Sequence, residues 1–179
     1  MTHCKMTCAL IAVVLAGVSV CTALRAQPSE QTTSGSKVRV GTFDSRCLAV
    51  AFYQSEMFKS RMVSVAAEYE KAKAAGDKKR VEELEARGEM MHKQAFSTWP
   101  VDNILERIKG EIPEIAKQAD VDVIISKWDL TYQRSGVELV DVTPLLVKLL
   151  VDDEKALEDA LKIRKMRPIP RETLMDPNA

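Results

Sequence analysis

The most reactive side chains of this sequence outside its first 26 residues are one thiol, Cys47, and one imidazole, His92. A Cys–His nucleophile pair needs both in one pocket, with the histidine as base. Cys47 sits where a strand-like segment gives way to a helical one, and a helix N-terminus lowers a thiol pKa. A buried, inert thiol is the simpler reading. His92 falls one step beyond Met91, on the flank of a helix. Glu82, Glu83 and Glu85 lie on successive helical faces, which describes a solvated surface better than an acid/base pair. No Gly-rich phosphate loop, HExxH, CxxC or GxSxG pattern occurs. These residues give no catalytic set, no metal-ligand set and no cofactor motif, and the chain reads as a non-enzyme.

One cluster of charge stands out. Between Lys71 and Arg80 lie five basic residues, Lys71, Lys73, Lys78, Lys79 and Arg80, with the single acid Asp77. In a chain of 26 basic and 26 acidic residues, a local basic end can meet phosphates, anionic headgroups or acidic chains in a salt-dependent way. It can equally be a solvated turn. It has no interleaved aromatics, so nucleic acid is not an expected partner.

The elements that carry these residues follow from periodicity. Leu48, Ala51, Ser55, Phe58, Met62, Val65, Tyr69 and Ala72 recur in alternating steps of three and four, the seam of a coiled coil. The pattern stops at Ala75-Gly76-Asp77 and resumes as Val81, Leu84, Gly88, Met91, Ala95 and Thr98. This predicts a helical hairpin with its basic cluster at the tip. Pro100 either breaks the second arm or opens a new helix. Val101, Leu105, Ile108, Ile112, Ile115 and Ala119 continue the seam, bent near Trp99 and bent or frayed near Gly110, so the arm is expected over about 48–119. Met57, Met62, Met90 and Met91 supply flexible, polarizable surface suited either to varied apolar partners or to filling gaps between irregular helices.

Short β-like segments flank this hairpin. Lys37 to Asp44 alternates apolar and polar residues, Val121 to Ile125 is β-branched, and Val137 to Val140 follows Gly136. Ser126 to Ser135 reads as a loop or hairpin between the last two. None of these strands is stable alone, so they are expected to form one small sheet at the base of the hairpin, the first strand pairing with the later ones. The class is α+β, mostly α, with a small β-sheet body and a protruding antiparallel coiled-coil hairpin.

The first 26 residues read as a secretory signal. His3 and Lys5 precede the uncharged run Met6 to Val20, and small residues allow cleavage after Ala23 or Ala26. The run is short for a membrane-spanning helix, which needs about 20 residues. Val18-Ser19-Val20-Cys21 has the outline of a lipid-attachment box, but Val20 stands where a small residue is the rule, which argues against anchoring at Cys21. Cleavage after Ala26 leaves Cys47 as the sole cysteine and 24 basic against 26 acidic residues. Residues 27–36 are a polar, disordered leader. Glu154 to Ile163 reads as a helix, and Pro168, Pro170 and Pro177 make the tail extended or disordered.

The order of these pieces resembles the Skp/OmpH family of periplasmic chaperones. The resemblance rests on Val38-Arg39-Val40-Gly41-Thr42-Phe43-Asp44, on Ile115-Ala116-Lys117 leading into Asp120-Val121-Asp122-Val123-Ile124-Ile125, and on Tyr132 with Val140-Asp141-Val142-Thr143 and the helix Leu145 to Leu150. It spans residues 37–151 and leaves the 152–179 extension without a role. The resemblance implies a periplasmic homotrimer whose helical arms surround a cavity and hold unfolded outer-membrane or envelope proteins without ATP. It implies client-facing apolar positions on the arms, Phe58, Met62, Val65, Tyr69, Met90 and Met91. The basic tip, Lys71, Lys73, Lys78, Lys79 and Arg80, would meet anionic lipid or lipopolysaccharide. The competing expectation is a non-catalytic coiled-coil module docking on one folded envelope partner.

Overall fold

The computed structural model describes residues 37–175. The expected signal segment 1–26, the leader 27–36 and Pro177 lie outside the described residues. The described chain is α+β and mostly helical. In order it runs β1 (Arg39–Phe43), α1 (Ser45–Gln54), α2 (Glu56–Ala75), α3 (Lys78–Phe96), α4 (Asp102–Ile108), α5 (Ile112–Ala119), β2 (Val123–Ser126), β3 (Glu138–Asp141), α6 (Thr143–Lys148) and α7 (Glu154–Lys162).

The first strand pairs with both later ones, as expected, and all three run parallel in the order β2-β1-β3. Segment 127–137 is therefore a crossing connection and not a hairpin, because β2 and β3 occupy opposite edges. Registered residues share a face. Gly41, Ile124 and Val140 point to the core with Phe43. Gly41 is closely approached: a Cβ there would lie 3.0 Å from Ile124 Cγ1 and 3.1 Å from Val121 Cγ2, so these side chains would have to give way. The opposite face carries Val38, Val40, Val123, Ile125 and Leu139. Three of these stay open to solvent: Val38 at 44%, Val123 at 49% and Leu139 at 41%. Among the described residues the outer edges of β2 and β3 have no ladder partner.

The helical seam does not run unbroken from Leu48. Ser55 leaves the helix with ψ 147 and ends α1, and its hydroxyl accepts the Phe58 N–H to start α2. The heptad spacing treats Ser55 as a seam position, but its side chain acts as an N-cap, which Ser does better than it fills a core. The turn at Gly76 forms as expected: Gly76 is left-handed at φ 70, and Asp77 caps α3 by accepting the Arg80 N–H. α3 ends at Ser97, and the continuation splits into the separate helices α4 and α5. The expected arm over 48–119 is thus shorter. α2 and α3, joined by the Gly76 turn, pack on each other through Arg80–Glu68 and Tyr69–Glu85, and α2 spans about 30 Å at 1.5 Å per residue.

α1, α4, α5 and α6 instead line the core. Leu48, Ile104 and Leu146 are fully buried, each side chain contributing about 1.5–3 kcal/mol relative to exposure. The 152–179 extension belongs to this body as far as it is described. Ala160 of α7 is buried in the same cluster, and the Ile169 N–H donates to Phe96 O at 2.9 Å in a single bridge between Ser97 and Ile169. Arg171 donates to Thr98 Oγ1 at 3.0 Å. The tail is extended around Pro168 and Pro170, turns over 171–175, and fastens the end of α3.

A polar hub joins the C-terminal ends of the strands to α1. Asp44 accepts from Arg46 Nη2 at 2.8 Å, Lys127 Nζ at 2.8 Å and Trp128 Nε1 at 3.3 Å. The Asp44 N–H donates to Thr143 Oγ1 at 3.0 Å, and Arg46 Nη1 donates to Met166 O at 2.9 Å. The hub therefore ties β1, the start of the crossing connection, α6 and the tail together. Burial by itself would raise the Asp44 carboxyl, but the hydrogen bonds and charges of Arg46 and Lys127 outweigh it and hold the pKa below the usual value.

Candidate functional site

Where α2 and α3 meet the ends of α1 and α4 a small pocket of about 140 Å³ opens. The break at Ser55 makes this possible, because it ends α1 and lets α2 set off in its own direction. The inner wall is aromatic: the Phe58 ring centroid lies 5.2 Å from Phe52 and 4.9 Å from Tyr53, all tilted. Met91 lines the wall, and Met57 and Met90 stand at the mouth, 56% and 42% exposed.

The polar floor is self-satisfied. The Tyr53 hydroxyl donates to Gln94 Oε1, and Gln94 Nε2 donates to Pro100 O at 2.6 Å and Asn103 Oδ1 at 2.7 Å. Burial raises the Tyr53 pKa to about 12 against the opposing charge of Arg87, so the hydroxyl keeps its proton. Three guanidiniums complete the lining: Arg61 from α2, Arg87 from α3 and Arg107 from α4. Arg107 lies 5.2 Å over the Phe52 ring.

Of the residues expected to face a client, Phe58, Met90 and Met91 meet in this pocket. Phe58 is 6% exposed, so it serves as wall rather than free surface. Met62 packs against the core cluster nearby. Val65 and Tyr69 lie farther along α2, away from the pocket, and the Tyr69 hydroxyl donates to Glu85 Oε1 at 3.0 Å. Sequence reasoning missed Arg61, Arg87 and Arg107. A signal existed at Arg61, whose helical neighbours Met57, Phe58, Ser64 and Val65 include no acid to pair with.

At the tip, Lys71, Lys73, Lys78 and Lys79 are exposed, with Lys73 Nζ 5.9 Å over the Tyr69 ring. Arg80 differs from its neighbours. It pairs with Glu68 at 2.8 Å and Glu83 at 2.6 Å, so it ties α3 to α2 and is a neutralised member of the cluster.

The reactive residues do not converge. Cys47 is fully buried in the core, and burial, with the Asp44 charge added, raises its pKa to about 12. His92 is exposed on α3, its ring 4.8 Å from Phe96. Among the described residues no three His, Cys, Asp or Glu side chains gather as metal ligands, and no helix is long and apolar enough to cross a membrane. Comparison with protein families, with characterised proteins and with solved structures finds no match for this chain.

Proposed function

We propose that this chain is an exported, ATP-independent holdase of the Skp/OmpH kind, a homotrimer that holds unfolded outer-membrane or envelope proteins between its helical arms. The observation that carries the reading is the second face of the sheet. Val38, Val40, Val123, Ile125 and Leu139 make an apolar surface bounded by two strand edges that are unpaired among the described residues. An uncovered apolar face with open edges is a liability for a monomer. Repeating a β2-to-β3 edge contact around a three-fold axis would close a barrel, pair the edges and bury the face.

The arms fit the same reading. α2 and α3 fold back on each other as an antiparallel pair of coiled-coil character. They carry exposed apolar residues, Met57, Val63 and Met90 among them, at 56%, 75% and 42% exposure. Weak, adaptable apolar contacts of this sort slow aggregation without demanding one client sequence. The processed protein should suppress aggregation of a denatured outer-membrane barrel at near-stoichiometric ratio without nucleotide. Undiminished aggregation at excess protein would remove the idea.

The second reading, a module docking on one folded envelope partner, is favoured by the small defined pocket at the arm's base. Cross-linking separates the two: a holdase captures many unrelated chains, a docking module one dominant partner.

A further inference from the structure

The pocket between α2 and α3 combines two features that suit one kind of ligand. Its walls are apolar and ring-lined, and Arg61, Arg87 and Arg107 reach it from three different helices. None of the three forms an ion pair among the described residues, although Lys93, farther along α3, is paired with Glu89. The floor asks for nothing, because Tyr53, Gln94 and Asn103 satisfy one another. What the pocket offers a ligand is therefore positive charge without a carboxylate partner, beside apolar surface.

Size narrows the occupant further. A space of about 140 Å³ is comparable to an engineered cavity of roughly 150 Å³ that takes up benzene. It admits one ring or one branched aliphatic group. Guanidinium forks match a carboxylate in a bidentate arrangement, and they do so best beside a wall that excludes water.

We propose that this pocket binds an apolar anion, a carboxylate joined to a single ring-sized apolar group. The apolar group packs against Phe52, Phe58 and Met91, and the carboxylate sits among Arg61, Arg87 and Arg107. The chemistry is that of a polypeptide ending in an apolar residue or of a free arylalkanoic acid. This site goes beyond the holdase reading and requires neither export nor a trimer.

The test is titration of the full chain with phenylpropanoate, with phenylpropanol, which lacks the charge, and with acetate, which lacks the ring. The expected result is saturable binding of phenylpropanoate at one site per chain, with both truncated probes weaker by roughly tenfold or more. R61Q/R87Q, whose melting curve should match the parent because Arg61 is exposed and Arg87 only half-buried, should lose about tenfold in affinity. Equal binding of phenylpropanol, or unchanged binding by R61Q/R87Q, would overturn the site. A tripeptide ending in phenylalanine and its C-terminal amide separate the sources. Preference for the free carboxylate supports the polypeptide terminus, and binding by phenylpropanoate alone supports the free acid. A monomeric mass in solution would count against the trimer and leave these outcomes unchanged.

Discussion

Arg46 and Asp44 form an ion pair inside the body of this protein, with Nη2 2.8 Å from Oδ2 and side chains only 2% and 1% exposed. The pair is local in sequence but global in reach. Through it the end of β1, the connection carrying Lys127 and Trp128, and the tail carbonyl of Met166 converge on one carboxylate and one guanidinium.

Replacing Asp44 with Asn should destabilise the fold by about 3–5 kcal/mol, because it leaves Arg46 buried without its counter-charge. Chemical denaturation measures this directly. The same group sets an acid limit. Its folded pKa lies below the usual value, so its contribution is complete above about 3.9 and is lost as pH falls through the folded pKa. Unfolding midpoints recorded downward from neutral pH should show the loss in that window for the parent. The D44N variant should show a smaller one.

Cys47 should resist thiol reagents in the native protein and react at once in denaturant, because it is fully buried and its pKa is raised to about 12. Labelling should track global unfolding. The sign of its linkage is alkaline: the stabilising neutral thiol is fully favoured below the unfolded pKa of about 8.5, and its contribution is lost as pH rises towards the folded value. Rapid native labelling would show that the α1 core opens locally.

Ser55→Ala should cost about 1 kcal/mol through loss of the α2 cap. It should also allow α1 and α2 to merge, narrowing the pocket, which a rise in helical circular dichroism and loss of phenylpropanoate binding would reveal.

Ser55 also marks the limit of what periodicity conveys. Heptad spacing finds the helices and the Gly76 turn because side-chain recurrence and a left-handed glycine are local properties. Whether a serine continues a seam or caps a new helix depends on where the following helix must point, which only packing decides. The sheet was legible in the same partial way. Its three segments follow from alternation and β-branching, and the pairing of the first with the later two from strands too short to stand alone, but the parallel order β2-β1-β3 depends on a crossing over 127–137 that no residue type announces. The basic tip was readable from composition, yet the pairing of Arg80 with Glu68 across the hairpin was not. Arg61, Arg87 and Arg107 are separated widely in sequence and become one feature only in the fold.

At the tip, Lys78→Glu with Lys79→Glu should weaken binding to anionic vesicles, with the difference largest at low salt. Arg80→Glu should act differently, loosening the tip by leaving Glu68 and Glu83 unpaired beside a third carboxylate. Equal vesicle binding by K78E/K79E at low salt would assign these lysines to solubility alone.

The central claim is that the uncovered sheet face is an assembly surface, and the most direct measurement is the solution mass of residues 27–179 by light scattering on a sizing column. The account predicts a homotrimer, and it predicts that V123K/L139K falls to a monomer that still unfolds cooperatively. A monomeric parent protein, or a trimer indifferent to V123K/L139K, would contradict it.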